Sequence, residues 1–359
     1  MKTSALYSQY VIDGAVMEKT PAQILDALCN ERHPEPEGVY DNIVDESMDH
    51  VISKTVLDPA CLDEYLASVM ETDAGLDPAC SDSYSRFKAS SALCASLWKE
   101  GHFRLEDLSM NVGWYWDTAP VGAASAFYRS VQALTEYLDL LDIRLSSYAV
   151  NEVSGSFALG STVSLSPESD DDVFMRDARM CPSTIVQDPQ SWLVYVPFDT
   201  CDFRLGGSLL ASRLRTGLGT EPQINDPDYF IDCYEVLREL VEDGVVIAGT
   251  EIPRGGMMKA LKTMLGEGSG LSVDISDIMN SYEEQNAMRV LFAEVPGVLI
   301  QIRDADFDYL DAELLLQDVA FFPLGHPTLE SGELRVKSSR KTGIQRILES
   351  LMLNAEGED

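Results

Sequence analysis

In the run VVIAGTEIPRGGMMKAL, residues 245–261, a β-branched segment passes through a short loop into a helix opened by Gly255 and Gly256. This layout commonly holds a ligand at the end of the strand, where helix N–H groups converge. The loop carries Pro253 and Arg254 where metal or acid–base chemistry would call for acids or a histidine. Gly206, Gly207, Gly255, Gly256 and Gly297 permit tight turns and close backbone approach, and Glu294 sits nearby in sequence in LFAE. Fold maintenance accounts for the same glycines.

Other chemistry-bearing residues have plainer readings. His33, His50, His102 and His326 are scattered without a partner motif. Ser161-Thr162 after Gly160 can hold a phosphate through backbone N–H groups, or simply turn into a strand. Met257, Met258 and Met264 suit gaps in a core. The basic cluster Arg335, Lys337, Arg340, Lys341 and Arg346 stands out in an acidic chain. It can bind a phosphate or an acidic partner, or pair with the chain's own carboxylates. The seven cysteines show no CxxC pair and are odd in number, which argues against both a disulfide scaffold and a zinc site.

The 359 residues suffice for two domains, and 45% hydrophobic content is that of a packed core. With 26 Lys and Arg against 60 Asp and Glu, the formal charge of −34 repels nucleic acid and anionic membranes. That repulsion acts over a Debye length of roughly 8 Å. No signal-peptide pattern opens the chain and no run of 18 apolar residues occurs, so a soluble, cytoplasmic protein is expected.

The elements alternate. Residues 1–50 read as an N-terminal appendage, with a short helix at TPAQILDALCNE. The pentapeptide LDPAC at 57–61 returns at 76–80, each copy followed by a tyrosine at the same offset. In ASAFYRSVQALTEYLDLLDI, Phe127, Val131, Leu134, Leu138 and Leu141 recur at helical spacing. Strand-like runs follow at RLSSYAV, GSTVSLS, TIVQ and WLVYVPF. Turn residues near 183–190 place a boundary between a first lobe, 51–185, and a second, 186–330, with a tail at 331–359. In the second lobe Asp226 caps a helix with Pro227 at its first position, and Phe230, Cys233, Leu237 and Leu240 share its inner face. LSVDI and VLIQI read as further strands, so the class is mixed, α+β.

WLVYVPFDTCDFRLGGSLLA, the helix after INDPDYF, the segment at 245–261, and LFAEVPGVLIQI at 291–302 together resemble the carboxy-terminal lobe of the aminoimidazole-ribonucleotide-synthetase-like fold. More narrowly they resemble the second synthetase half of phosphoribosylformylglycinamidine synthase, the purine-pathway amidotransferase. VGWYW at 112–116 and the helix at 123–142 add upstream matches. The resemblance implies a two-lobed fold, with an N-lobe sheet that pairs with a second half and a C-lobe α/β sandwich. It also implies a nucleotide between the lobes, and a reaction that converts an amide to an amidine with ATP, Mg2+ and ammonia from a glutaminase. The chain ends where that glutaminase domain would begin, so a separate glutaminase is an expected partner.

Residue by residue, the family's motifs are only partly kept. Its loop reads His-Asp-x-Ser-Asp-Gly-Gly; the corresponding residues here are Thr250, Glu251, Ile252, Pro253, Arg254, Gly255 and Gly256. Glu251 alone keeps a carboxylate, and Arg254 puts a cation where like charge repels a metal. Glu251 and Arg254 are the catalytic candidates; Gly206, Gly207, Gly255, Gly256 and Glu294 are the cofactor-binding candidates. The family's Glu-Ala-x-Thr-Asn ligand helix corresponds to SSALCASLW, which puts Ser91 and Ala95 at the ligand positions. SSYAVNEVSGS lacks the lysine of the family's Gly-Lys-Asp-Ser phosphate loop. Asp77 matches the family's aspartate ligand, with Asp58 in the first LDPAC copy competing for the role.

The expectation is therefore a degenerate synthetase half acting as a scaffold or regulatory subunit, a homodimer or the partner of another synthetase half. The competing expectation is a supporting half of an active ATP-dependent amidotransferase whose catalytic site lies elsewhere. Mg2+ with ATP or ADP are the family's cofactors, and the losses above weaken the site for both.

Overall fold

The helical spacing that starts at Phe127 builds helix Ala123–Leu140, on which Phe127, Val131, Leu134 and Leu138 are completely buried. In the computed structural model, which describes residues 3–29, 38–48, 59–70, 75–214, 219–266, 269–328 and 333–338, the chain divides into two compact units. One comprises Met1–Ser53, Ala74–Leu93 and Gly101–Met175; the other comprises Lys54–Asp73, Cys94–Glu100 and Arg176–Asp359.

In the first unit, Ala123–Leu140 lies against a three-stranded sheet ordered Arg144–Glu152, Leu108–Trp116, Phe157–Leu165. The central strand runs parallel to the first and antiparallel to the last. The tryptophans of VGWYW lock the helix to the sheet. Trp114 Nε1 donates to Ser130 Oγ and Trp116 Nε1 to the Ala123 carbonyl, both at 2.8 Å, and both rings pack against Phe127. Buried tryptophan needs such a partner for its N–H. Gly160, Ser161 and Thr162 lie within the strand Phe157–Leu165, paired with Gly113, Val112 and Asn111, rather than at a phosphate-binding turn.

Residues assigned to the N-terminal appendage contribute to this unit. Helix Pro21–Leu28 is closed by a capping box between Thr20 and Gln23, and its Leu25 is fully buried. Tyr10 packs against Tyr128 with the rings tilted and their centroids 5.2 Å apart. Asp45, on the small strand Ile43–Asp45, accepts from the N–H groups of Gly122 at 2.7 Å and Ser125 at 3.0 Å, so it caps the central helix from far away in sequence.

The LDPAC copies diverge in conformation. Pro59 of the first opens the α-helix Pro59–Ser68, whereas Asp77 of the second caps a short 3-10 turn, Pro78–Cys80, that leads into helix Ser81–Ser96. Asp58, His33, His50, Arg340, Lys341 and Arg346 lie outside the described residues.

The second unit is built on a six-stranded sheet ordered Val246–Glu251, Gly297–Ile302, Trp192–Pro197, Phe322–Thr328, Gly270–Asp274, Leu334–Lys337. All six residues of Gly297–Ile302 are buried, as befits a strand flanked by partners and covered on both faces. Helix Pro227–Glu242 buries Phe230, Cys233, Leu237 and Leu240; Phe230 meets Phe198 edge to face at 5.3 Å. Met257, Met258 and Met264 of helix Gly256–Leu265 are core residues. Together these elements give an α+β fold with an α/β carboxy-terminal unit.

TIVQ, expected as a strand, is not one. Ile185 N donates to the Met264 carbonyl, and the buried Gln301 side chain takes the backbone of Val186 in place of a neighbouring strand, accepting from Val186 N at 2.7 Å and donating to Val186 O at 2.8 Å. A side-chain amide offers the same donor and acceptor as a peptide, so one β-branched run can be satisfied without entering a ladder. The outer strand Val246–Glu251 is covered in a related way: Gly249 N donates to the Pro182 carbonyl, and Arg179 Nη2 donates to the Gly249 carbonyl at 2.7 Å.

Candidate functional site

The loop after Val246–Glu251 folds as its sequence requires. Gly255 and Gly256 have φ of +99° and +71°, in the left-handed region that disfavours side chains. At Gly256 a Cβ would stand 2.8 Å from backbone atoms of Leu291, Phe292 and Ala293, so the helix start rests directly on the turn that carries Glu294. Gly206 is enclosed too, since a Cβ there would meet the Gly219 carbonyl at 2.5 Å.

Glu294 is the hub. Its Oε1 accepts from Gly255 N at 2.9 Å and from Leu209 N at 2.7 Å; its Oε2 pairs with Arg254 Nε at 3.1 Å. Arg254 also donates from Nη2 to the Gly207 carbonyl at 3.0 Å. The Glu294 and Arg254 side chains are only 7% and 10% exposed, so the pair sits in a medium where an unpartnered charge would be costly. Arg254, Gly207, Gly255 and Glu294, separated in sequence, thus form one closed cluster that ties two loops together. Tyr65, fully buried against Phe292, borders it: burial, and then the charge of Glu294, push its phenol well above the ordinary range.

Glu251 is engaged elsewhere. Its Oε2 accepts from the indole N–H of Trp98 at 2.9 Å, and Trp98 is completely buried. The Trp98 ring presses on the strand so closely that a Cβ at Gly249 would meet it at 2.4 Å. Arg179 lies over the same ring at 5.7 Å. The nearby Cys94 thiol is raised well above its usual value by burial and, next, by Glu251, which leaves it protonated and unreactive.

These residues do not fit a divalent cation. Mg2+ needs several oxygens in near-octahedral array, while the loop offers one carboxylate already bound to an indole and one arginine turned onto a glutamate. Among the described residues no group of three or more His, Cys, Asp or Glu is placed to hold a metal. Asp77 lies in the first unit, where its Oδ1 accepts from Ala79 N at 3.0 Å. Ser91 and Ala95 lie on helix Ser81–Ser96. Sequence reasoning passed over Trp98, Arg179 and Tyr65 because nothing local marks them; Trp98 reaches Glu251 across 153 positions.

His102 packs edge-on against Phe174 at 5.1 Å, and His326 Nδ1 lies 2.9 Å from the Ser191 carbonyl. Arg335 is held by Glu333 through two contacts of 2.6 Å. Among the described residues no helix is long and apolar enough to cross a membrane.

No protein-family model matches the sequence. In sequence the chain is 22% identical over 211 residues to human phosphoribosylformylglycinamidine synthase, a match that takes in 56% of this chain but only 15% of the human protein. It is also 26% identical over 129 residues to probable membrane antigen 3 of Saimiriine herpesvirus 2, covering 35% of this chain and 10% of the viral protein. Among solved structures, Thermotoga maritima PurL complexed with FGAR is similar with a TM-score of 0.53 at 11% identity, over 74% of this chain and 43% of that one. The chain therefore has the fold of the phosphoribosylformylglycinamidine-synthase-related proteins and is similar to them in sequence over part of its length.

Proposed function

We propose that this chain is a synthetase-like half of phosphoribosylformylglycinamidine-synthase descent that has lost its metal-dependent nucleotide chemistry and acts as a scaffold or regulatory subunit. The observation that carries this reading is the Arg254–Glu294 pair: a cation stands where the related loop has an acid, and it is buried onto the chain's own carboxylate. The engagement of Glu251 by Trp98 supports it at the one carboxylate retained. The partner is a second copy or another synthetase half, joined through the sheet of the first unit, and the setting is cytoplasmic. A separate glutaminase would be recruited only if the assembly is active.

A second reading has its own support. Gly255, Gly256 and the Glu294 hub keep the loop backbone in an ordered, helix-opening geometry. A half with an intact backbone can support an active ATP-dependent amidotransferase whose catalytic residues lie on the other half.

Calorimetric titration of the chain with ATP, with and without Mg2+, tests the first reading. Binding no tighter than roughly millimolar, about −4 kcal/mol, and no ATP hydrolysis are expected. Micromolar binding that requires Mg2+ would overturn it. Adding a catalytically competent partner half and recovering amidotransferase activity only in the mixture would instead establish the second.

A further inference from the structure

A cavity of about 340 Å3 opens on the sheet of the second unit, away in sequence from the strand–loop–helix described above. That volume is at the small end of the roughly 300–1,000 Å3 typical of small-molecule sites. Its polar lining comes from three adjacent strands: His326 and Thr328, then Ser272 and Asp274, then Lys337.

The register explains the convergence. Ser272 lies opposite His326 in the antiparallel pair, and Asp274 lies beside Lys337 in the parallel pair, so their side chains share one face. A bulge between Pro323 and Gly325 interrupts the pairing with Trp192–Pro197. Gly325 has φ of +144°, and a Cβ there would stand 2.2 Å from the Ser272 carbonyl, so only glycine allows the strands to close at this point. Bulges of this kind re-aim side chains.

The histidine is held by its surroundings. A carbonyl only accepts, so the 2.9 Å contact with Ser191 O places a proton on Nδ1 of His326 and leaves Nε2 for the cavity. Trp192 packs on the ring at 4.1 Å, and its own indole N–H is fixed by Asp304 at 2.8 Å. On the far strand Arg335 is neutralised by Glu333, whereas no ion pair among the described residues engages Lys337. The carboxylate in the cavity, Asp274, already accepts at Oδ1 from the N–H and hydroxyl of Ser276.

We propose that this cavity is a binding site for a hydroxylated phosphate monoester, with Lys337 and the Ser272 and Thr328 hydroxyls around the phosphate and with Asp274 and His326 Nε2 accepting from the ligand's hydroxyls. A free ammonium and two hydroxyls supply the donors that phosphate oxygens require, while the bare Nε2 of the imidazole, like the carboxylate, accepts. The carboxylate on the same face repels a bare anion but rewards a ligand that carries donors beside its phosphate. The site is independent of the nucleotide question, since it shares no residue with the Arg254–Glu294 cluster.

Titration of the full chain with ribose 5-phosphate and with inorganic phosphate tests this, with ribose as the neutral control. Ribose 5-phosphate is expected to bind several-fold more tightly than phosphate, and ribose not at all. Lys337→Ala, an exposed position that leaves the fold intact, should weaken both phosphate probes by about tenfold or more, as loss of a charge-assisted hydrogen bond does. Asp274→Asn should narrow the preference for the sugar phosphate, and His326→Ala, which removes the other acceptor, should narrow it independently. Absence of binding by either probe at tens of millimolar, or binding unchanged in Lys337→Ala, would overturn the assignment.

Discussion

Arg254 and Glu294 form a 3.1 Å ion pair between a loop and a turn 40 residues apart, and the same glutamate accepts from Gly255 N and Leu209 N. Glu294 therefore serves as a fixed anion between the starts of helices Gly256–Leu265 and Leu209–Leu214, stabilised by the Gly255 and Leu209 N–H groups and by the guanidinium together.

Breaking that pair from one side is expected to be much worse than removing it whole. Glu294→Gln or Arg254→Met should each lower stability by about 3–5 kcal/mol, because the surviving partner is left charged and buried. The double variant should be less damaged than the sum of the two. Urea unfolding midpoints across the four proteins read the coupling directly; strictly additive losses would mean that the pair is energetically unimportant.

The glycines separate steric from conformational cost. Gly244 and Gly256 have nearly equal φ, +70° and +71°, but a Cβ at Gly244 meets nothing within 4 Å while one at Gly256 meets backbone at 2.8 Å. Gly244→Ala should cost about 1–2 kcal/mol, the left-handed penalty alone. Gly256→Ala should cost more than about 3 kcal/mol, since the helix start must move as well. Thermal melting of the two variants compares them, and equal losses would contradict the close approach.

Asp45 is expected to act as a remote cap. Asp45→Ala removes both contacts to the start of Ala123–Leu140 and should cost about 1–2 kcal/mol, with Asp45→Asn retaining part of it. Hydrogen exchange should speed up first at Gly122 and Ser125; exchange that rises only globally would point to a wider role for Asp45.

Asp199 gives a signed pH dependence. Burial pushes its carboxyl above the ordinary range although the N–H groups of Cys201, Asn225 and Asp226 all donate to it and oppose the shift. A raised folded-state value means that the contribution is fully present below the unfolded-state value, about 3.9, and is lost as pH rises through the folded-state value. The stability of the unaltered protein minus that of Asp199→Asn should therefore decrease from pH 3 towards neutrality. An increasing difference would show that the three N–H donors win over desolvation.

The sequence by itself determined the local elements whose spacing or caps are written in consecutive residues. Phe127 to Leu138 recur at the pitch of one helix face, Asp226-Pro227 begins another, and paired glycines at 255 and 256 mark a left-handed turn that side chains disfavour. The order of such segments also made the family resemblance legible, along with the absence of a second acid in the loop. Tertiary structure alone decided what the surviving charges do. Whether Glu251 faces a metal or an indole depends on Trp98, which the fold delivers from another helix's end, and whether Arg254 faces a phosphate or Glu294 depends on a turn 40 residues away. TIVQ reads as a strand because a β-branched run carries that propensity anywhere, yet the Gln301 side chain takes the backbone of Val186 and the Met264 carbonyl takes the N–H of Ile185 instead. Propensity and spacing act over a few residues along the chain, whereas burial of a charge is settled by whichever partner the packed fold brings within hydrogen-bonding distance.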